Sequence, residues 1–331
     1  MTIMVTGGSG YIGSVTVERL RAAGEDIVVV DDFYRGHESA LTSDITIYKG
    51  KVGDRELIRR VIKEHPIEAC MHFAALTYVG ESVENPLHYY ENNAVQTLTL
   101  IEELVRGKVG MMVFSSTAAT YGEPAYSPLD ELHPQSPENP YGWGKLFVER
   151  ALESTAVADG LCFVGLRYFN AAGASEERGE DHTPESHLIP NVLFAAMGHR
   201  PNISVFGDNY ATPDGTPIRD YVHVVDLAEA HKLALNHLRN GGDSEFVNLG
   251  NGKGYSVYEV IETARLVTKR SIQVNVESPR VGDPSFLVAN SEKAKKLLGW
   301  NPQYGELEQI VGSAWEWHNK HPNGYKDHNG I

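Results

Sequence analysis

Tyr141 and Lys145 stand four residues apart in Tyr141-Gly142-Trp143-Gly144-Lys145. Four residues make about one helical turn, so a helix places phenol and ammonium on one face. A neighbouring cation favours phenolate over phenol and lowers a tyrosine pKa toward the working pH. A second pattern opens the chain. Thr6-Gly7-Gly8-Ser9-Gly10-Tyr11-Ile12-Gly13 holds both G-x-G-x-x-G (Gly8, Gly10, Gly13) and G-x-x-G-x-x-G (Gly7, Gly10, Gly13). Such glycines permit a tight turn and close backbone approach, and a following helix N-terminus offers free N–H groups to a pyrophosphate. A tuned tyrosine base beside a nicotinamide moves a proton and a hydride on an alcohol or ketone.

These groups need elements to hold them. Ile3-Met4-Val5 predicts a strand ending at Thr6. Ile12, Val15, Val17 and Leu20 predict a helix as far as Ala23, with Gly24 as its stop. A second strand, Ile27–Val30, ends in Asp31-Asp32. An acid there accepts hydrogen bonds from an adenosine ribose and repels a 2′-phosphate, which favours NAD over NADP. Further strands are expected at Ile45–Tyr48, Ala69–Phe73, Met111–Ser115 and Cys162–Arg167, and helices at Glu56–Glu64, Pro86–Arg106 and Tyr141–Ala158. Alternating strands and helices predict an α/β fold with a doubly wound parallel Rossmann sheet. Ligands of such sheets sit at the carboxyl ends of the strands. The glycine turn, Asp31, Phe73-Ala74-Ala75, Ser115-Ser116-Thr117 and Tyr168-Phe169-Asn170 all follow strands there.

Residues 1–170 read as the dinucleotide domain, with 221–250 returning to it. Residues 171–220 and 251–320 read as a smaller C-terminal substrate-binding lobe with no evident core of its own, and 321–331 as a tail. Helices are expected at Leu188–Met197 and Asp226–His237, and a capping box at Ser256–Glu259 opens another that runs to Thr268. Ile272–Val276 reads as a strand and Leu307–Trp317 as a closing helix. Residues after His318 are polar and glycine-rich and are expected to be mobile.

The chain has 331 residues, 41% of them hydrophobic and 22% charged, which is ordinary for a soluble globular protein. A net charge of −15 argues against nucleic acid as a partner. No apolar stretch reaches 18 residues and no basic-then-apolar leader opens the chain, so neither a membrane partner nor a cleaved signal is expected. The two cysteines, Cys70 and Cys162, fall in expected core strands. They read as small buried hydrophobes in a reducing, cytoplasmic compartment.

At this point the chain resembles the extended short-chain dehydrogenase/reductase family, and within it the UDP-galactose/UDP-glucose 4-epimerases. The resemblance rests on the glycine turn, His72-Phe73-Ala74-Ala75, Val79-Gly80-Glu81-Ser82, Asn92-Asn93, Phe114 to Gly122, Tyr141 with Lys145, and Leu166 to Asn170. It continues through Gly215-Thr216, Arg219 to His223, and Arg280-Val281-Gly282-Asp283, in order over nearly the whole chain. It implies an isomerase that holds NAD and acts on a UDP-sugar. Tyr141 takes the proton of the sugar 4-hydroxyl, Lys145 lowers its pKa and bonds the nicotinamide ribose, and Thr117 bridges sugar and tyrosine. The 4-hydride passes to NAD⁺, and the 4-keto sugar takes it back on its other face. The implied cofactor contacts are Gly7, Gly10, Tyr11, Ile12, Gly13, Asp31, Asp32, Val52, Phe73, Ala74, Ala75, Asn92, Ser115, Tyr141, Lys145 and Tyr168. The implied substrate contacts are Thr117, Tyr141, Phe169, Asn170, His187, Leu188, Ser204, Phe206, Arg219, Arg280, Asp283 and Leu287.

Some residues read two ways. Arg219 and Arg280 suit a diphosphate because a guanidinium forms a rigid donor fork, but Arg219 equally fits an ion pair with Asp220 or Asp226. Phe206 fits the uracil or the core. Lys51 and Thr77 stand where relatives place an Asp for adenine and a Lys near the pyrophosphate. Leu287 occupies the position that gates the sugar 2-substituent, between an excluding tyrosine and permissive small residues. Glu180, Asp181, His182 and His187 resemble a metal cluster, yet no helix spacing joins them, so a solvated or substrate-covering loop and no metal are expected. Helices Pro86–Arg106 and Tyr141–Ala158, with Leu98, Ile101, Leu146 and Leu152, fit either a homodimer surface or internal packing. The rival activities are 4-epimerisation of a UDP-N-acetylhexosamine or UDP-pentose, nucleotide-sugar 4,6-dehydration, and non-catalytic NAD sensing. Ala118-Ala119 after Thr117 lacks the Asp-Glu pair of the dehydratases.

Overall fold

Ile3 and Val5 alternate with Met4 along the first strand, and all three are fully buried. A strand covered on both faces belongs in the middle of a parallel sheet. In the computed structural model, which describes residues 1–280 and 283–325, it does. The strands are β1 (Thr2–Thr6), β2 (Asp26–Asp31), β3 (Thr46–Lys49), β4 (Ile67–His72), β5 (Met111–Thr117), β6 (Cys162–Tyr168) and β7 (Asn170–Ala172). They continue as β8 (Ile203–Phe206), β9 (Ile218–His223), β10 (Glu245–Leu249), β11 (Gly254–Ser256), β12 (Val274–Glu277) and β13 (Phe286–Leu287). A seven-stranded parallel sheet runs in the order β10-β6-β5-β4-β1-β2-β3. Strand order reverses at β1, so the glycine turn leaves the sheet at its topological switch point.

The helices are α1 (Tyr11–Ala22), α2 (Arg55–Glu64), α3 (Val79–Glu84), α4 (Pro86–Tyr89), α5 (Gln96–Arg106) and α6 (Pro140–Asp159). They continue as α7 (Leu188–Met197), α8 (Val224–Arg239), α9 (Val257–Thr268), α10 (Glu292–Leu298) and α11 (Leu307–Lys320). Ile3 and Val5 pack with Val17 and Leu20 of α1 and Leu227 and Leu235 of α8. Met4 and Val28 face the other layer, with Ile58 of α2, Leu100 and Leu104 of α5, and Val148 and Leu152 of α6. Each fully buried aliphatic side chain of this kind contributes roughly 1.5–3 kcal/mol. No helix among the described residues is long and apolar enough to cross a membrane.

Several expectations need correction. The second lobe has a core of its own: Ile189, Val192 and Leu193 of α7, Val205, Tyr221, Val260, Ile261, Ile310 and Val311 form one buried cluster. Two small sheets back it, one with β9 paired to β7, β11 and β13, the other joining β8 to β12. Cys70 is buried, but Cys162 is exposed, because it is the first residue of β6 and precedes the covered part of the strand. The single helix expected over Pro86–Arg106 is interrupted by a π-helical stretch, Tyr90–Val95. Of the apolar residues read there for a pairing surface, Ile101, Leu146 and Leu152 are buried in the core, while Leu98 is exposed. The segment after His318 is anchored: α11 extends to Lys320, and beyond it Tyr325 is buried, with its ring stacked on His37 at 4.9 Å, while Pro322 and Asn323 are exposed. The remainder of the expected tail, 326–331, lies outside the described residues, as do Val281 and Gly282 of the Arg280–Asp283 motif.

Candidate active site

The glycine turn is set by contacts that only its sequence permits. Gly7 has φ +70°, and its N–H donates to the Val30 carbonyl at 2.9 Å, tying the end of β1 to the end of β2. A Cβ at Gly13 would collide with the Gly7 carbonyl, so glycine lets α1 close onto the turn. Gly10 stands at the helix N-cap with no side-chain cap, and a Cβ there would meet only the Gly7 carbonyl, at 3.5 Å. The first-turn N–H groups of Tyr11, Ile12 and Gly13 are therefore offered to a ligand, and the turn fits a pyrophosphate.

Asp31 closes the cradle. Its carboxylate accepts the Ser9 and Phe33 backbone N–H groups, each at 2.9 Å. Burial pushes its pKa up, and those same bonds pull against it. A carboxylate has about four lone-pair sites, so capacity remains for a ribose. Asp32 accepts the Tyr34 N–H at 3.0 Å. Val52 is buried, whereas Lys51 and Thr77 are exposed. Across the sheet the Phe73 and Ala74 N–H groups both donate to the Thr6 carbonyl, at 2.9 and 3.1 Å, which carries the 73–75 segment over the turn. His72 is a satisfied core histidine, held between Thr6 and Thr97 at 2.6 and 2.9 Å, and burial lowers its pKa to about 3. Asn92 sits in the π-helical stretch and donates to Asn93 at 2.9 Å. Asn93 is a positioning residue that its polar type alone did not reveal. It is buried and bonds both the N–H and the carbonyl of Leu76 at 2.8 Å, fixing the loop past Ala75.

Thr117, Tyr141 and Lys145 converge at the carboxyl end of β5. Asn139 caps α6 by accepting the Gly142 N–H at 2.9 Å. A Cβ at Gly142 would stand 2.5 Å from the Ala119 carbonyl, so glycine lets the helix start press on the turn after Thr117. Burial pushes the Tyr141 phenol up, and a hydrogen bond with the Thr117 hydroxyl pulls it down. Lys145 is buried and donates to the Ser115 carbonyl at 2.8 Å. Burial lowers its pKa to about 7, with Glu149 raising it. In the chain by itself desolvation is the largest influence on both groups, raising the phenol and lowering the ammonium. Ser115 is also hydrogen-bonded through its hydroxyl to the Tyr168 phenol. Glu149, one turn beyond Lys145, was absent from the sequence-derived site. It accepts Ser116 Oγ at 2.5 Å, Gln135 at 2.9 Å and the Arg167 guanidinium at 2.9 and 2.7 Å.

The proposed substrate side lies on β9 and its neighbours. Arg219 pairs with Asp283, not with Asp220 or Asp226. Asp220 instead anchors loops, accepting the N–H groups of Asn251, Gly252 and Ala289 at 2.8, 3.0 and 3.1 Å. Asp226 does likewise for Gln303 and Tyr304. The exposed Arg280 lies over the Phe206 ring at 4.1 Å, so cation–π contact occupies one face of that ring. Ser204 is one strand position back on the same face of β8, and both are half-buried. Leu287 pairs with Arg219 in register and packs against the cluster of Ala118, Tyr121, Leu129, Phe169 and Ala289. Asn170 opens β7, opposite Tyr221.

The 180–187 segment departs from the expected solvated loop. Asp181 turns away to accept the Tyr325 N–H at 2.7 Å, and Glu185 joins Glu180, His182 and His187 in its place. His187 Nδ1 faces Glu180 and Glu185 at 2.8 and 2.9 Å, which draws that nitrogen away from the role of sugar ligand. Leu188 begins α7 and packs on the second core.

Residues 3–250 match the model of the NAD dependent epimerase/dehydratase family. The chain belongs to that family. It is 52% identical over 331 residues to a UDP-glucose 4-epimerase of Halalkalibacterium halodurans, covering 99% of each chain. Its fold superposes with TM-score 0.93 on a UDP-glucose 4-epimerase of Bifidobacterium longum in complex with NAD⁺ and UDP, at 38% identity, covering 98% of this chain and 100% of that one. The UDP-Glc/GlcNAc 4-epimerase of Campylobacter jejuni gives TM-score 0.85 at 38% identity, covering 96% and 99%.

Proposed function

We propose that this chain is an NAD-dependent isomerase that interconverts UDP-galactose and UDP-glucose by inverting the sugar at C4. The observation that carries the reading is the convergence of Thr117, Tyr141 and Lys145 on the sheet edge that also bears the uncapped glycine turn. In this reading residues 1–170, with 221–250, hold NAD, and 171–220 with 251–320 hold the UDP-sugar. The glycine turn and Asp31 would hold NAD, which when bound would supply hydride-acceptor chemistry beside the sugar C4. Tyr141 removes and restores the 4-hydroxyl proton, and Thr117 links phenol and sugar through its hydroxyl. Lys145, fixed by the Ser115 carbonyl, supplies the neighbouring positive charge. Incubation with UDP-galactose, UDP-GalNAc and UDP-xylose separately, followed by product analysis, tests the reading. Failure to form UDP-glucose from UDP-galactose would sink it.

The two guanidiniums supply positive charge locally on an acidic protein. Arg280→Ala should raise KM for the UDP-sugar and weaken inhibition by UDP about 10- to 100-fold, since a charged hydrogen bond contributes about 1.5–3 kcal/mol. NAD content should stay unchanged. Unaltered UDP affinity would reduce Arg280 to a surface partner of Phe206.

Specificity at the sugar 2-position is assigned to Leu287, beside Ala118 and Phe169. Leu287→Tyr should lower activity on UDP-GalNAc relative to UDP-galactose by about 10-fold or more, and Leu287→Ser should raise it. An unchanged ratio across the three proteins would move the determinant elsewhere.

The same proposal makes the protein a cytoplasmic homodimer. Its two cysteines are unpaired. Val83, Leu87, Leu98, Trp143 and Phe147 expose apolar surface on α3 to α6, 80% of Leu87 and 51% of Phe147 being accessible. A surface of this kind on adjacent helices favours pairing with a second copy.

A further inference from the structure

The segment between β7 and α7 folds four metal-ligand side chains into one place. The nearest ligand atoms of Glu180, His182, Glu185 and His187 all lie within 4.8 Å of one another. Glu180 Oε1 faces both imidazoles, 3.2 Å from His182 Nδ1 and 2.8 Å from His187 Nδ1. Glu185 Oε1 is 2.9 Å from His187 Nδ1, and Glu185 Oε2 is 3.8 Å from His182 Nδ1. The carboxylates are 6% and 2% exposed. Glu185 Oε2 and His182 Nδ1 are buried without any hydrogen bond. Glu180 Oε1 is the nearest acceptor to His182 Nδ1, and the other Glu185 oxygen, Oε1, accepts the Ser186 and His187 N–H groups at 2.7 Å, so the open valence of this carboxylate is Oε2, 3.8 Å from His182 Nδ1. Buried carboxylates are paired with hydrogen-bond donors or coordinate metals.

We propose that Glu180, His182, Glu185 and His187 bind a zinc ion that fastens the 173–187 segment. Zinc takes imidazole nitrogen and carboxylate oxygen at about 2.0–2.2 Å in a tetrahedron, which sets neighbouring donors about 3.3–3.6 Å apart. The observed separations of 2.8, 2.9, 3.2 and 3.8 Å, with all four donors within 4.8 Å of one another, bracket that spacing, so binding needs side-chain shifts of up to roughly an ångström. Mixed nitrogen and oxygen donors suit zinc, whereas calcium and magnesium want more oxygens. Four protein ligands close the tetrahedron, which makes the site structural.

The surroundings say what it fastens. Tyr11 donates to the Gly173 carbonyl at 2.6 Å, and its ring lies 6.3 Å from His182. Tyr78 donates to the Pro184 carbonyl at 2.7 Å, and its ring lies 6.0 Å from His182. Tyr11 opens α1 at the glycine turn, and Tyr78 follows the 73–75 segment. The ion therefore holds the segment against both walls of the dinucleotide cradle. A cavity of about 280 Å³, lined in part by His182, Glu185, His199, His318 and His321, gives it a route from solvent.

The test is metal analysis of the full chain after incubation with Zn²⁺ and dialysis against metal-free buffer. Wild type should retain about one zinc per chain, and Glu185→Gln with His182→Asn should retain less than about 0.1. Stripping zinc from wild type with a chelator should lower Tm and raise hydrogen exchange in 173–187, and Zn²⁺ but not Mg²⁺ should restore both. These wild-type measurements stand even where the variant folds poorly. Zinc below about 0.1 per chain in the wild type, or a Tm indifferent to chelation, overturns the proposal and leaves a hydrogen-bonded histidine–carboxylate cluster. Equal zinc in wild type and a folded variant overturns it as well.

Discussion

Tyr141→Phe should leave the fold and NAD content intact and lower turnover of UDP-galactose by about 10²- to 10⁴-fold, the usual contribution of a positioned acid or base. The substitution removes only the phenolic oxygen, which bonds the Thr117 hydroxyl. Phenylalanine keeps the ring and its place in the first turn of α6. Turnover within a few-fold of wild type would remove Tyr141 from the chemistry. The pH profile adds a readout that packing alone does not move. Burial pushes the phenol up in the chain by itself, so charge beside it must bring it down in the working site. Lys145→Met removes that charge and raises the tyrosine further. Phenolate then forms only at higher pH, and the acid limb of kcat/KM should move upward. A limb that stays in place would assign Lys145 to holding Ser115 alone.

The first half of the chain was legible because most of its strands are apolar on both faces and most of its connections are helices with their own punctuation, the edge strand β3 and the loop before it being the exceptions. Ile3-Met4-Val5 and the glycines after it could form little else, and the expected strand bounds lie within two residues of those observed. The second lobe was not legible for a physical reason. Its strands are short: β7 and β11 have three residues each and β13 has two, and their partners on β9 are distant in sequence. No period develops over so few residues, so the core built from Ile189, Val205, Tyr221, Ile261 and Ile310 exists only once those pieces pair. The π-helical stretch at Tyr90–Val95 left no trace in a sequence that otherwise reads as one helix, yet it sets Asn92 and Asn93. Residue types at the site were readable, while their pairing was not. Arg219 chose Asp283 over its nearer neighbours in sequence, and Glu185 took the place expected of Asp181. Glu149 escaped for the same reason, since it lies on α6 and its partners Ser116 and Arg167 come from β5 and β6.

Glu149 carries the second large effect. Its side chain is fully buried and forms a bidentate pair with Arg167, itself 4% exposed. Removing one member of a buried pair leaves the other charge uncompensated and costs about 3–5 kcal/mol. Glu149→Ala should therefore lower Tm by roughly 4–7 °C, on the scale of a chain of this size. Arg167→Met alone should be of similar severity. The double variant Glu149→Leu with Arg167→Met should recover most of the loss, because no charge is stranded. Full additivity of the single losses would show that the pair is not the source. Glu149 also acts on the site through Lys145, whose pKa is about 7, lowered by burial and raised by Glu149. Glu149→Gln removes the raising charge while keeping the side chain's length. Lys145 then loses its proton at lower pH. Activity that needs the ammonium disappears as pH rises through that pKa, so the alkaline limb should move downward in this variant. A merely structural role would lower Tm and leave the limb where it was.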